Sequence, residues 1–181
     1  MSTKTVSQQD VEHLALIRGS VTEFMIYVAA TYAKNPGLLL DVAPQIHAGA
    51  RPYFKNTIEV ETLDIDPKAG ATYTADLCSA PLPCLYQKFD YIICTEVLEH
   101  TRQPFSAVET LFSLLKPNGY CFVTTPFNFR IHGPLPDCWR FTEHGLRELF
   151  SRFNILELTQ VETSDRFLMP IHYRLVGQRA S

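Results

Sequence analysis

Four carboxylates stand where apolar runs of this 181-residue chain end: Asp41, Asp64, Asp76 and Glu96. A carboxylate accepts two hydrogen bonds at once, so Asp64, closing the run 58–63, is suited to grip the paired hydroxyls of a ribose. Asp76 can accept from the exocyclic amine of adenine. Ile65 and Leu77, each next to one of these acids, can sandwich a flat ring. Together they describe an adenosine pocket without deciding which adenosine-bearing ligand fills it. Acidic residues also end strands because loops are wet, but four in succession weaken that account. A second group offers proton acceptors, His100, His132 and Asp137, beside Trp139, Arg140 and Phe127, which could line a site for a second molecule. Plainer roles stand beside these. His100 could cap or pack its turn, Trp139 could pack a loop, and Arg140 could pair with Asp137 or Glu143.

The elements that must position these residues follow from periodicity. Residues 9–34 carry Val11, Leu14, Ile17, Val21, Phe24 and Val28 at helical spacing, ended by Pro36 and Gly37. The runs 38–42, 58–65, 71–75, 89–95 and 120–125 read as strands, and near-continuous apolar character marks strands covered on both faces. Residues 104–115 form a helix with Phe105, Val108, Leu111, Phe112 and Leu115 on one side, followed by a turn at Pro117-Asn118-Gly119. Residues 126–141 are a long loop, and Thr142 caps a helix running to Phe150. The tail alternates at Ile155, Leu156, Leu158 and Val161 and again at Ile171, Tyr173 and Leu175, a closing hairpin. The expected fold is α/β: a doubly wound, mostly parallel seven-stranded sheet with an antiparallel C-terminal hairpin. Residues 1–36 are expected to form an N-terminal helical cap and 37–181 the main domain. Ligands of such sheets bind beyond the carboxyl ends of the strands, where the four acids lie.

Composition narrows the partners. Hydrophobic residues are 46% of the chain, enough for a core, and the net charge is −3 with no basic stripe. No broad pull toward nucleic acid or anionic lipid is expected. The N-terminus is polar and no apolar run reaches the length needed to span a bilayer, so a cytoplasmic protein off the membrane is expected. Cys78, Cys84, Cys94, Cys121 and Cys138 form no C-x-x-C pair, which reads as reduced thiols and leaves no metal site expected.

The string FDYIICTEVLEHTRQPFSAVETLFSLLKPNGYCFVTTPF (89–127) resembles the strand 4 to strand 5 unit of class I S-adenosylmethionine-dependent methyltransferases. That unit has a strand ending in a polar residue, then VLEH, a helix, a turn of the LKPGG type, and a strand ending near TPF. LDID (63–66) and ADL (75–77) match the family's adenosine-binding positions. GPLPDCWRFTEHGLRELF (133–150) is similar to a motif of a small type 11-like branch with a P-x-D-x-W-R-F-T loop after strand 5.

The resemblance covers about residues 38–150. It implies a Rossmann-like methyltransferase fold and S-adenosyl-L-methionine as cofactor, held by Asp41, Val42, Ala43, Asp64, Ile65, Asp76, Leu77, Thr95 and Glu96. The implied biosynthetic reaction is methyl transfer to a small-molecule or glycan-like acceptor, an in-line displacement governed by positioning. An alcohol or ammonium acceptor needs a base, for which His132, His100 and Asp137 are candidates, with Trp139, Arg140 and Phe127 toward the acceptor. Short substrate caps leave an open site or one completed by a second subunit, so a homodimer is among the expectations. The chain departs from the family after strand 1, where a G-x-G turn is written Val42-Ala43-Pro44-Gln45. The methyl of Ala43 is tolerated if its φ stays negative, and Pro44 removes an N–H. This departure supports an alternative, a catalytically impaired scaffold or partner-binding subunit. The exit Thr95-Glu96-Val97 lacks the Asn/Asp-Pro-Pro-aromatic string of base-amino methyltransferases, so nucleic acid is not an expected acceptor.

Overall fold

Side-chain alternation along the central strands sets the layers. The computed structural model describes residues 6–45, 48–79, 82–163 and 166–180. Its strands are β1 (Gly37–Val42), β2 (Ile58–Asp64), β3 (Tyr73–Thr74), β4 (Phe89–Thr95), β5 (Leu115–Pro126), β6 (Phe153–Val161) and β7 (His172–Arg179). Its helices are α1 (Gln8–Thr31), α2 (Pro104–Leu114) and α3 (Glu143–Leu149). They build one seven-stranded sheet in the order β3-β2-β1-β4-β5-β7-β6. The first five strands run parallel, and β7 is antiparallel to both β5 and β6. This is the expected α/β architecture.

Leu39, Tyr91, Ile93, Phe122 and Val176 point to one face, against Phe24, Met25 and Val28 of α1 and Ala50 and Phe54 of the segment after β1. Leu40, Ile92, Cys94, Cys121 and Leu175 point to the other, under Val108 and Leu111 of α2 and Leu146 and Leu149 of α3. Coverage of both faces is why the central stretches 38–40, 91–94 and 120–123 are apolar on successive positions.

Three local expectations are corrected. Val11 is 50% exposed, and the buried stripe of α1 instead includes the polar His13 and Ser20 with Ile17, Phe24 and Val28. This 24-residue helix is also long and apolar enough to cross a membrane by length and composition, contrary to the expectation that no such run exists. Its inner face is part of the core. Pro117-Asn118-Gly119 is not a connection between helix and strand but an irregularity inside β5, where pairing jumps from Phe89↔Leu115 to Tyr91↔Tyr120. Asn118 absorbs it with φ 64°.

The turn after β1 shapes one side of the strand exits. The buried Asp41 accepts a hydrogen bond from the Ala50 N–H at 2.7 Å, so the chain must reverse tightly. Ala43 (φ 53°), Gln45 (φ 54°) and Gly49 (φ 59°) make that reversal in the left-handed region. The expectation of a negative φ at Ala43 is therefore not met. Its N–H is held by Leu63 O at 2.7 Å while Asp41 draws the chain back. Ile46 and His47 of the same turn lie outside the described residues. A Cβ on Gly49 would fall 2.1 Å from Asp41 Oδ2. Gly49→Ala is expected to lower the unfolding free energy by about 2 kcal/mol or more in urea titrations. Ala43→Gly is expected to raise it by up to about 1 kcal/mol, the left-handed penalty less the entropy of glycine. Unchanged midpoints for both would refute this account of the turn.

Candidate functional site

The strand exits assemble two groups of side chains. At the β1 and β2 exits lies a polar cleft of about 210 Å³ lined by Pro44, Gln45, Arg51, Thr62, Asp64 and Gly70, among others. Asp64 is buried, and its Oδ1 accepts from the Asp66 N–H at 2.9 Å. Its Oδ2 is buried with no partner. Buried carboxylate oxygens are normally paired, so this one is an acceptor left for something else. Asp76 is half-buried and takes the Cys78 N–H at 2.8 Å. Of the expected ring sandwich, Ile65 stands 65% exposed, whereas Leu77, like Val42, is packed into the core. Burial pushes the Asp41 carboxyl up to about 6, with the Ala50 N–H and Arg51 pulling the other way.

The second group stands at the β4 exit. Thr95 ends the strand half-buried. Glu96 follows with φ 55° and turns its carboxylate onto β5 and β7. There Oε1 accepts from Thr124 Oγ1 at 2.9 Å and lies 2.6 Å from Nε2 of the fully buried His172. His172 Nδ1 meets Ser20 Oγ at 2.8 Å, and Ser20 Oγ also accepts from Arg174 Nε at 2.8 Å. Glu96 is thus rooted through a buried polar chain to α1. Sequence reasoning missed His172 and Ser20, whose only signal is a polar residue inside an otherwise apolar pattern.

The structure brings His100, His132 and Asp137 together. Glu99, unassigned in the sequence reading although it lies inside VLEH, sits on the 3-10 turn Leu98–His100, fully buried with neither oxygen hydrogen-bonded. His100 Nε2 and His132 Nε2 are each 3.7 Å from Glu99 Oε1, beyond hydrogen-bond reach. His132 Nδ1 is 3.1 Å from Asp137 Oδ2, and His100 Nδ1 is 3.0 Å from Pro136 O. Arg140 clamps Asp137 with contacts of 2.5 and 2.8 Å and also donates to Phe129 O and Arg130 O. Trp139 Nε1 donates to Thr101 O at 2.7 Å, and the N–H groups of Cys138 and Trp139 both donate to Glu99 O. The long loop is therefore stapled onto the Leu98–Thr101 turn. Cys138 and Trp139 do the stapling, Arg140 braces the loop from within, and Phe127 packs edge-on against Tyr173 at 6.0 Å.

Charge in this group is tuned by burial and by neighbours. Burial pushes the Glu99 carboxyl up to about 7, partly opposed by the facing His132. Glu99 in turn raises His132, while burial lowers His100. The Arg140 guanidinium holds Asp137 well below the usual carboxylate range. A carboxyl titrating near neutrality can both take and release a proton.

The methyltransferase domain family matches residues 20–161. The chain belongs to that family. A ubiquinone biosynthesis O-methyltransferase of Histophilus somni is 31% identical over 112 residues, which are 61% of this chain and 36% of that protein. This methyltransferase-family chain thus spans well under two thirds of that relative. The Burkholderia thailandensis 1,6-didemethyltoxoflavin N1-methyltransferase, solved with 1,6-didemethyltoxoflavin and S-adenosylhomocysteine bound, has a TM-score of 0.63 at 14% identity, covering 100% of this chain and 94% of that one. A cyclase, SpnF, has a TM-score of 0.67 at 16% identity over 89% of this chain and 80% of that one. Likeness at these identities shows the fold, and the fold carries more than one chemistry.

Two outcomes test the electrostatics. Folding favours the protonated form of Asp41, whose value rises from 3.8 to about 6. Its contribution is therefore complete below the unfolded value and is lost as pH climbs through the folded one. Asp41→Asn removes this dependence. Its stability relative to the natural chain should grow by on the order of 2–3 kcal/mol between about pH 4 and pH 7 in urea titrations. A flat difference would refute the shift. Arg140→Gln leaves the Asp137 side chain buried without its cationic clamp, holding the His132 N–H alone among the described residues, so it should cost about 3 kcal/mol and make residues 129–141 the first segment cut in limited proteolysis.

Proposed function

We propose that this domain transfers a methyl group from S-adenosylmethionine to an oxygen of a small-molecule acceptor. The observation that carries the reading is Asp64, a buried carboxylate at the β2 exit with Oδ2 unpartnered beside a polar cleft. A ribose hydroxyl pair is the donor that such an oxygen lacks. Ala43 and Gln45 support it. Their left-handed φ gives the backbone the conformation that glycines would give in a G-x-G turn.

Asp64 would hold the ribose, Asp76 and Ile65 the adenine, and the Ala43–Gln45 backbone and Thr95 the remainder of the cofactor. When bound, the cofactor supplies an activated methyl group on a sulfonium. The chain's own part is positioning and exclusion of water. The stapled loop lies over the turn after β4 and brings His132 and Asp137 to Glu99, beside His100 of that turn. That cluster is where the proton of an acceptor hydroxyl is handled. The printed name of the Histophilus relative, an O-methyltransferase, supports an oxygen acceptor and a biosynthetic step. A glycan-like acceptor is the narrower form of this reading, and Trp139, 41% exposed, is the side chain that would stack on a sugar face.

Calorimetric titration with S-adenosylhomocysteine tests the proposal. The natural chain should show saturable one-to-one binding, and Asp64→Asn should weaken it at least about tenfold, the size of a lost hydrogen bond to a charged group. No saturable heat with S-adenosylmethionine or S-adenosylhomocysteine would overturn it in favour of a partner-binding scaffold.

A further inference from the structure

We propose that Glu99, His100 and His132 form a binding site for one divalent transition-metal ion of the zinc class. One ligand atom from each residue lies within 4.8 Å of the others. Both imidazole Nε2 atoms stand 3.7 Å from the same oxygen, Glu99 Oε1. That spacing is too long for hydrogen bonds. It is close to the roughly 3.3 Å that separates ligands sharing a tetrahedral ion at 2.0–2.1 Å.

The groups around the cluster point the same way. A carbonyl oxygen can only accept, so His100 Nδ1, 3.0 Å from Pro136 O, carries the proton and Nε2 keeps its lone pair. His132 Nδ1 makes no hydrogen bond among the described residues but lies 3.1 Å from Asp137 Oδ2, which accepts from the His132 main-chain N–H at 2.9 Å, so a proton on Nδ1 is favoured electrostatically and Nε2 is left to donate its lone pair. Asp137 is itself fixed by Arg140. A carbonyl behind one ligating histidine and a carboxylate behind the other are the outer contacts that orient imidazoles toward a metal. Between the two rings lies a fully buried carboxylate with neither oxygen hydrogen-bonded, for which a cation is the missing partner.

Two imidazole nitrogens and one carboxylate oxygen suit zinc, cobalt or manganese and leave a coordination position open. The absence of C-x-x-C pairs, which argued against a metal in the sequence, does not bear on this donor set. Whether the ion binds is independent of the methyl-transfer reading, but its role rests on it. The open position would take the acceptor oxygen and make its hydroxyl more acidic, with the histidines acting as ligands rather than bases.

The test uses the full chain, stripped with a chelator and desalted. It is titrated with Zn²⁺ by calorimetry and with Co²⁺ by visible absorption, and S-adenosylhomocysteine binding is measured in parallel. One ion per chain is expected, with d–d bands of a nitrogen- and oxygen-ligated Co²⁺. Glu99→Gln and His132→Ala should each lose at least about a hundredfold in affinity. Asp137→Asn should lose about 10–100-fold through its hold on His132. His132 lies on the stapled loop outside the core, so His132→Ala keeps the test valid should Glu99→Gln fold poorly. A natural chain that binds S-adenosylhomocysteine but takes up none of Zn²⁺, Co²⁺ or Mn²⁺ stoichiometrically overturns the metal site alone. Metal binding unaffected by His132→Ala and Glu99→Gln also overturns it. Metal uptake lost in these variants, without nucleoside binding in any form, upholds the site and overturns the methyl-transfer reading.

Discussion

One hydrogen bond, from the Ala50 N–H to the buried Asp41 carboxylate, sets the geometry of the β1 and β2 exits. It obliges the chain to turn back at once after β1, and the turn is made by residues ill suited to it. Left-handed φ at Ala43 and Gln45 costs about 1–2 kcal/mol each. A hydrogen bond to a charged group contributes about 1.5–3 kcal/mol, and the Ala43 N–H bond to Leu63 O adds to it. The sum is near balance, so the turn persists because Asp41, Gly49 and Leu63 over-determine it. The carboxylate also bears a desolvation cost, seen in its raised pKa of about 6. With the turn in this shape, Arg51, Asp64 and the Pro44–Gln45 backbone share one cleft.

The opposite wall depends on a comparable device. The main-chain oxygen of Glu99 receives two N–H groups from Cys138 and Trp139, so the loop after β5 is tied to the turn after β4 at the residue whose side chain is buried beneath. Arg140 gathers carbonyls from the far side of the same loop and clamps Asp137. A fork of five donors is the group able to do this at one point. His132 therefore reaches Glu99 on a braced segment, although its sequence of prolines, glycines and aromatics reads as open loop.

The strands of this fold were legible because two-sided coverage writes itself into sequence as unbroken apolar runs. β1, β4 and the 120–123 stretch of β5 come close to such runs, β2 alternates with Glu59 and Glu61, and the acids Asp41, Asp64 and Glu96 fall at the exits. Less was legible where a residue's role depends on what packs over it. Val11 continues the helical spacing yet lies beyond the sheet's reach and is exposed. Pro117-Asn118-Gly119 has the residues of a turn but is accommodated inside β5 by slipped pairing. His100, His132 and Asp137 were singled out from their types and do converge. Glu99 was not, because nothing local distinguishes a fully buried glutamate from a solvated one on a short helical turn. His172 and Ser20 were missed for the same reason, since their partner Glu96 is distant in sequence.

The likeness to both a methyltransferase and a cyclase means that shape alone does not say whether the altered turn still serves a cofactor. The local energetics say more. A scaffold relieved of its ligand has no use for a buried carboxylate oxygen without a donor, or for two side-chain-bearing residues held at positive φ. Each is unfavourable for folding by itself and removable by a single substitution. Here both occur at adjacent strand exits and border the same cleft. Protein contacts hold the turn, whereas the orphaned Asp64 oxygen has no partner among the described residues, and a bound molecule as proposed above would complete it. The turn therefore departs from G-x-G in residue type while keeping the left-handed backbone that glycine would supply. That conformation, rather than the glycines, is what the approach of a ligand to the main chain requires.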